Sequence, residues 1–98
     1  MPRISRNRDR CRTGHKCSFT APVLAKQGSV FANGKAILTR GAPVAPHRIK
    51  FGIFCIPHRA RLTGSSRSVY VQNIGVGRRG DRADFGSMRG CSPNVFAG

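Results

Sequence analysis

Apolar residues occur in short runs that end at Gly, Pro or Asn every few positions, and no stretch carries the spacing of an amphipathic helix. Such punctuation predicts short strands and turns, an all-β chain. One phrase recurs. Val30-Phe31-Ala32-Asn33-Gly34-Lys35 runs on to Arg40-Gly41, and Val69-Tyr70-Val71-Gln72-Asn73 runs on to Arg79-Gly80-Asp81, with the same offset from aromatic to arginine in both. A truncated copy, Val95-Phe96-Ala97-Gly98, ends the sequence. Repetition at a fixed offset signals repeated supersecondary units. Each unit reads as a strand, a tight turn and a strand. Asn33-Gly34 is a type I′ signal, because that turn needs positive φ at both central residues; in the second copy the turn falls at Gln72-Asn73. Gly75 and Gly77 alternate with Ile74, Val76 and Arg78, which predicts either a weak strand or close approach of a neighbouring backbone.

Two segments depart from this rhythm. Residues 1–16 carry Arg3, Arg6, Arg8, Arg10, Arg12 and Lys16. They read either as a basic arm or as a further repeat. In the second case Ile4-Ser5-Arg6 ends a strand, Asp9 stands where Asp81 does, and Thr13-Gly14-His15 forms the first loop. From Pro43 to Arg61, Pro43, Pro46 and Pro57 argue against a central strand and predict an extended loop carrying His47, Cys55 and His58.

Ninety-eight residues make one domain at most, 1–98. A chain of this size buries only about 60–65% of its unfolded surface, so small folds of this kind add a disulfide or a metal. Four Cys (Cys11, Cys17, Cys55, Cys91) and three His (His15, His47, His58) offer either. The arginine-rich N-terminus does not read as a secretory signal, and the apolar run around Ile53–Ile56 is too short to span a bilayer. A reducing compartment then favours cysteine as metal ligand over disulfide. The formal charge of +15 sets eighteen Lys and Arg against Asp9, Asp81 and Asp84, with no Glu. Its field attracts polyanions, whether nucleic acid or an anionic lipid or lipopolysaccharide surface.

Three Asp and no Glu leave little for acid–base hydrolysis, and the chain does not read as an enzyme. Imidazole and thiolate together favour zinc or iron. Each histidine follows Gly or Pro (Gly14-His15, Pro46-His47, Pro57-His58), but no zinc-finger spacing is present. If three repeats wrap one axis, their loops gather at one end and bring distant ligands together.

Thr13-Gly14-His15-Lys16-Cys17, Val30-Phe31-Ala32-Asn33-Gly34-Lys35, Arg79-Gly80-Asp81 and Cys91-Ser92-Pro93-Asn94-Val95-Phe96-Ala97-Gly98 together resemble the PAAR-repeat proteins, the spike tips of contractile phage tails and type VI secretion systems. The resemblance covers nearly the whole chain. It implies a small pseudo-threefold β cone with one structural metal ion, zinc or iron, near its apex. It also implies a non-enzymatic role: capping a trimeric β-helical spike, one copy per trimer, and sharpening it for penetration of the host envelope. The chain would be made in a host cytoplasm and carried in the virion at the tip of the baseplate spike. It would touch the outer membrane transiently and bind no specific nucleic acid. The implied ligands are His15, His47, His58 and a cysteine. The family position for that cysteine holds Phe85 here, so Cys91, the sole cysteine of the third repeat, takes the role, with Cys55 as rival and Cys17 as packing. Ala42, Arg8 and Gln72-Asn73 also depart from the family pattern. The alternative is a small basic zinc-containing nucleic-acid-binding protein. For the Val30, Phe31, Val69, Tyr70, Val95 and Phe96 side chains, core is the expected location, with spike contact as the other choice.

Overall fold

The computed structural model of the chain describes residues 2–15 and 17–98. It is all-β, built of small antiparallel hairpins, with no helix among the described residues. Strand β1 (Arg10–Arg12) pairs with β2 (Thr20–Pro22), β3 (Phe31–Ala32) with β4 (Lys35–Ala36), and β5 (Pro43–Phe51) with β6 (Phe54–Arg61). Likewise β7 (Tyr70–Val71) pairs with β8 (Ile74–Gly75) and β9 (Arg82–Ala83) with β10 (Gly86–Ser87). The expected turns form. Asn33 and Gly34 have φ of 52° and 77°, Gln72 and Asn73 of 53° and 65°. These are the paired left-handed residues that a type I′ turn requires.

The truncated third copy is completed by the N-terminus. The Ile37 N–H donates to the Val30 carbonyl (3.0 Å) and Val76 to Val69 (3.1 Å); Ile4 donates to Val95 (2.8 Å) in the same manner. Residues 2–4 and 95–97 thus form one split hairpin, which Ala97 N–H to Pro2 carbonyl (3.0 Å) extends. Three backbone hydrogen bonds then close a ring between the units: Ser5 to Gly77 (2.9 Å), Gly77 to Leu38 (2.8 Å) and Leu38 to Ser5 (3.0 Å). Inside it lie Ile4, Ile37 and Val76, with Ala32, Val71 and Ala97. Little room remains at Gly75, where an added Cβ would lie 2.5 Å from the Ser66 carbonyl oxygen. Close backbone approach, not a weak strand, accounts for that glycine.

Each unit then turns a corner. Asp9 accepts from the backbone N–H and Nε of Arg6 (2.7 and 3.2 Å), and Asp81 accepts from the same groups of Arg78 (2.8 and 3.1 Å). So residues 1–16 are the further repeat and not an arm, with Met1 and Lys16 outside the described residues. The middle corner has Ala42 in place of a carboxylate and keeps its turn through Ala42 N–H to Thr39 carbonyl (3.0 Å).

Beyond the corners a second ring forms from β1–β2, β5–β6 and β9–β10. Single bridges join them in a cycle: Val23 to Val44, Leu62 to Ala83 and Met88 to Cys11. All six residues are buried, and with Leu38 and Ala42 they form a second cluster of mostly small side chains. The molecule measures 42 × 23 × 22 Å.

Two expectations need correction. Residues 43–61 are not a loop but the longest hairpin, β5–β6, with a register irregularity between Val44 and His47. Its prolines are tolerated because its sheet has only two strands, so both are edges. The Arg48 N–H donates to Ser18 Oγ (3.2 Å) and does not need Pro57 opposite it. The repeat aromatics are not core: Phe31, Tyr70 and Phe96 are about half exposed (56%, 58% and 48%), and Val30 and Val69 are exposed too. Strand alternation puts Ala32, Val71 and Ala97 in the narrow interior and the aromatics outside.

Candidate metal centre

The three hairpins of the second ring each send a side chain to one place. The β1–β2 loop supplies His15, β5 and β6 supply His47 and His58 from paired positions, and the β9–β10 turn supplies Asp84. Their ligand atoms all lie within 4.8 Å of one another. Asp84 Oδ2 is 2.8 Å from His15 Nε2 and 2.6 Å from His47 Nε2, and Oδ1 is 3.2 Å from His58 Nε2. The site is enclosed: His15, His47 and Asp84 side chains are at most 4% exposed, His58 27%.

Local backbone chemistry sets this up. Asp84 has φ 55°, the left-handed region that Asp tolerates better than most residues. The hairpin is seated by close approach, since a Cβ on Gly86 would lie 1.7 Å from the Arg12 carbonyl oxygen. On the first loop, Thr13 Oγ1 accepts from the His15 N–H (3.1 Å) and donates to the Ser18 carbonyl. The Phe85 ring stands edge-on to His15 at 5.2 Å.

Burial alone would push the Asp84 carboxyl up. Hydrogen bonds to His58 and His47, with the charge and hydrogen bond of His15, outweigh it and hold the group below the ordinary carboxylate value. It is therefore an anion at neutral pH. His47 Nδ1 lies 2.9 Å from the Ala45 carbonyl, which can only accept, so Nδ1 carries the hydrogen. A ring carrying its hydrogen on Nδ1 has the Nε2 lone pair free to bind a cation beside the Asp84 carboxylate. The three imidazole ring centroids are 4.7–5.2 Å apart. The four donors are close enough together to be taken up by one metal ion. The carbonyl on the outer ring nitrogen is the arrangement that commonly orients a metal-binding histidine. The cluster can hold a metal ion.

Cys91 is not in this cluster. It is a half-buried free thiol whose backbone carbonyl accepts from the Arg6 guanidinium (3.0 Å). Cys55, the rival, forms a disulfide with Cys17 across 38 residues, with Cα atoms 6.0 Å apart. The preference for reduced thiols, and for Cys17 as packing, is overturned by that bridge. It closes the His15 loop onto the hairpin bearing His47 and His58. Cys11 is buried beside Met88, its thiol pushed up by burial and then by the Asp84 charge, so it stays protonated. Replacing Cys17 or Cys55 by Ser should destabilise the oxidised protein by about 2–4 kcal/mol. Denaturant melts checked against wild type under reducing conditions, where the difference should vanish, measure this.

Asp84 was the residue that sequence reasoning missed. A signal existed: of the three Asp, Asp9 and Asp81 belong to matching corners, which leaves Asp84 without a counterpart in the repeat. No protein-family model and no curated protein matches the chain.

Proposed function

We propose that the chain is the tip of a contractile-tail spike, a pseudo-threefold cone that caps a trimeric β-helix with one copy per trimer. The two closed rings of hairpins support the cone, and the resemblance to PAAR-repeat proteins supports the setting in a virion baseplate. One observation carries the reading. Three hairpins of one ring deliver metal donors to one place, while the other ring presents Phe31, Tyr70 and Phe96 at matching positions for an apolar partner.

The mechanism is mechanical. Sheath contraction drives the spike into an envelope, so the leading end must resist deformation where it has least room for a core. His15, His47, His58 and Asp84 would hold a zinc ion, or iron, behind that end, and its bonds would stand in for hydrophobic packing. Zinc suits three imidazoles and a carboxylate in an enclosed site. The Cys17–Cys55 bridge fastens two of the three contributing loops to each other. At the base, Phe31, Tyr70 and Phe96 meet the end of the spike, and the outer membrane is touched only in passing.

Spike capture tests this. A trimeric β-helical spike encoded in the same genome should retain the wild-type chain at one copy per trimer. The double variant Phe31→Asp plus Tyr70→Asp should lose more than about tenfold in affinity, since truncated anchor aromatics cost about 2 kcal/mol or more each. Salt-sensitive capture of RNA or DNA with no hold on the spike would instead favour the small zinc-containing nucleic-acid-binding protein.

A further inference from the structure

The β5–β6 hairpin runs past the metal donors. After the His47–His58 pair come Arg48–Pro57, Ile49–Ile56, Lys50–Cys55 and Phe51–Phe54, closed by Gly52 and Ile53. This outer part is two strands, with no third strand paired to either among the described residues. Its end is apolar and bare: Ile53 is 89% exposed, Phe54 66% and Ile56 40%. A lone ribbon of this kind is marginal in water. Here it is tied down by the Cys17–Cys55 bridge, by Arg48 N–H to Ser18 Oγ, and by the two histidines at its root. The fold thus holds an apolar point in solvent where a flexible loop would tuck it away.

Charge narrows the partner. Exposed Arg48 lies on the tip side of the histidines, exposed Arg59 and Arg61 lie farther back along β6, and residues 43–62 contain no Asp or Glu. The chain's three carboxylate side chains are engaged elsewhere, Asp9 with Arg6, Asp81 with Arg78 and Asp84 with the histidines. The matching surface is anionic outside and apolar beneath. A nucleic acid offers the first without the second, and the most exposed residue is aliphatic Ile53, which gives no stacking platform for a base. An anionic bilayer offers both. We infer that Ile53 and Phe54 at the tip of this ribbon are a membrane wedge, which enters the acyl region of an anionic leaflet while Arg48 behind them remains at the headgroups. This rests on reading the chain as an envelope-meeting tip and names the contact it makes.

The test uses the oxidised, metal-loaded full chain and vesicles of phosphatidylcholine with or without phosphatidylglycerol. Wild type should float with the anionic vesicles, and Ile53→Asp plus Phe54→Asp should weaken that partition by about tenfold or more with an unchanged melting temperature. The chain has no Trp, so the indole introduced by Ile53→Trp reports insertion directly. Its emission should shift to the blue and be quenched by brominated acyl chains in anionic vesicles alone. Equal flotation of the double Asp variant, an unshifted indole, or no flotation of wild type overturns the wedge. So does single-stranded RNA binding that depends on Ile53 and Phe54. Loss of the wedge with spike capture intact removes this inference only. Failed spike capture with insertion intact removes the spike reading and leaves the wedge.

Discussion

Stripping the purified protein with a strong chelator should lower its melting temperature by about 20 °C or more, and readdition of zinc should restore it. The size follows from two general magnitudes. A structural zinc ion contributes on the order of 10 kcal/mol to a small fold, and each 1 kcal/mol moves the midpoint of a domain this size by about 4–8 °C. The effect should be large because this chain has little else at that end. The nearby buried cluster consists of residues such as Cys11, Ala21, Val23, Ala42, Val44 and Ala83, and among the described residues no aromatic side chain belongs to either core cluster. Without the ion, the buried Asp84 carboxylate and the three imidazole donors are left without the cation that would tie their loops together. Calorimetry before and after chelation measures this. The disulfide should be kept oxidised throughout, so that only the metal changes.

Replacing Asp84 by Ala should cost more than about 100-fold in metal affinity, because outer partners of a ligand are alone worth about 10–100-fold. Asp84→Cys should keep zinc, since a thiolate is a good zinc ligand. Cys91→Ser should leave the metal content unchanged, because Cys91 lies outside the donor cluster. The three variants together separate the two candidates for the fourth donor. If Cys91→Ser loses the ion and Asp84→Ala keeps it, the assignment reverses. Competition titration with a colorimetric chelator reads all three on one scale.

What could be read from the sequence was what short-range chemistry decides. Asn33-Gly34 and Gln72-Asn73 specify their own turns, and the common offset to Arg40 and Arg79 marks the repeated unit. The histidines stood out because few other side chains could bind a metal. Asp84 did not, because whether Asp84 or Phe85 faces the site depends on a one-residue choice within the β9–β10 turn, made by packing of Gly86 against Arg12. The Cys17–Cys55 bridge was hidden for a similar reason: its loop spans most of the first half of the chain, and only the fold brings the two ends close. Prolines misled over β5–β6, since the rule that excludes them from sheets concerns central strands and this ribbon has none. The aromatics misled over the core, since hydrophobic character sets no direction. Where the backbones close together, Ala32, Val71 and Ala97 turn inward beside Ile4, Ile37 and Val76, which sends Phe31, Tyr70 and Phe96 to the surface.

The central claim is that distant loops converge to hold one ion, and metal content per chain tests it most directly. Elemental analysis of the protein purified without added metal or chelator should find one equivalent of zinc or iron, absent from Asp84→Ala. Protein that is folded and cooperative yet carries no transition metal, and gains none on dialysis against zinc, would contradict the account.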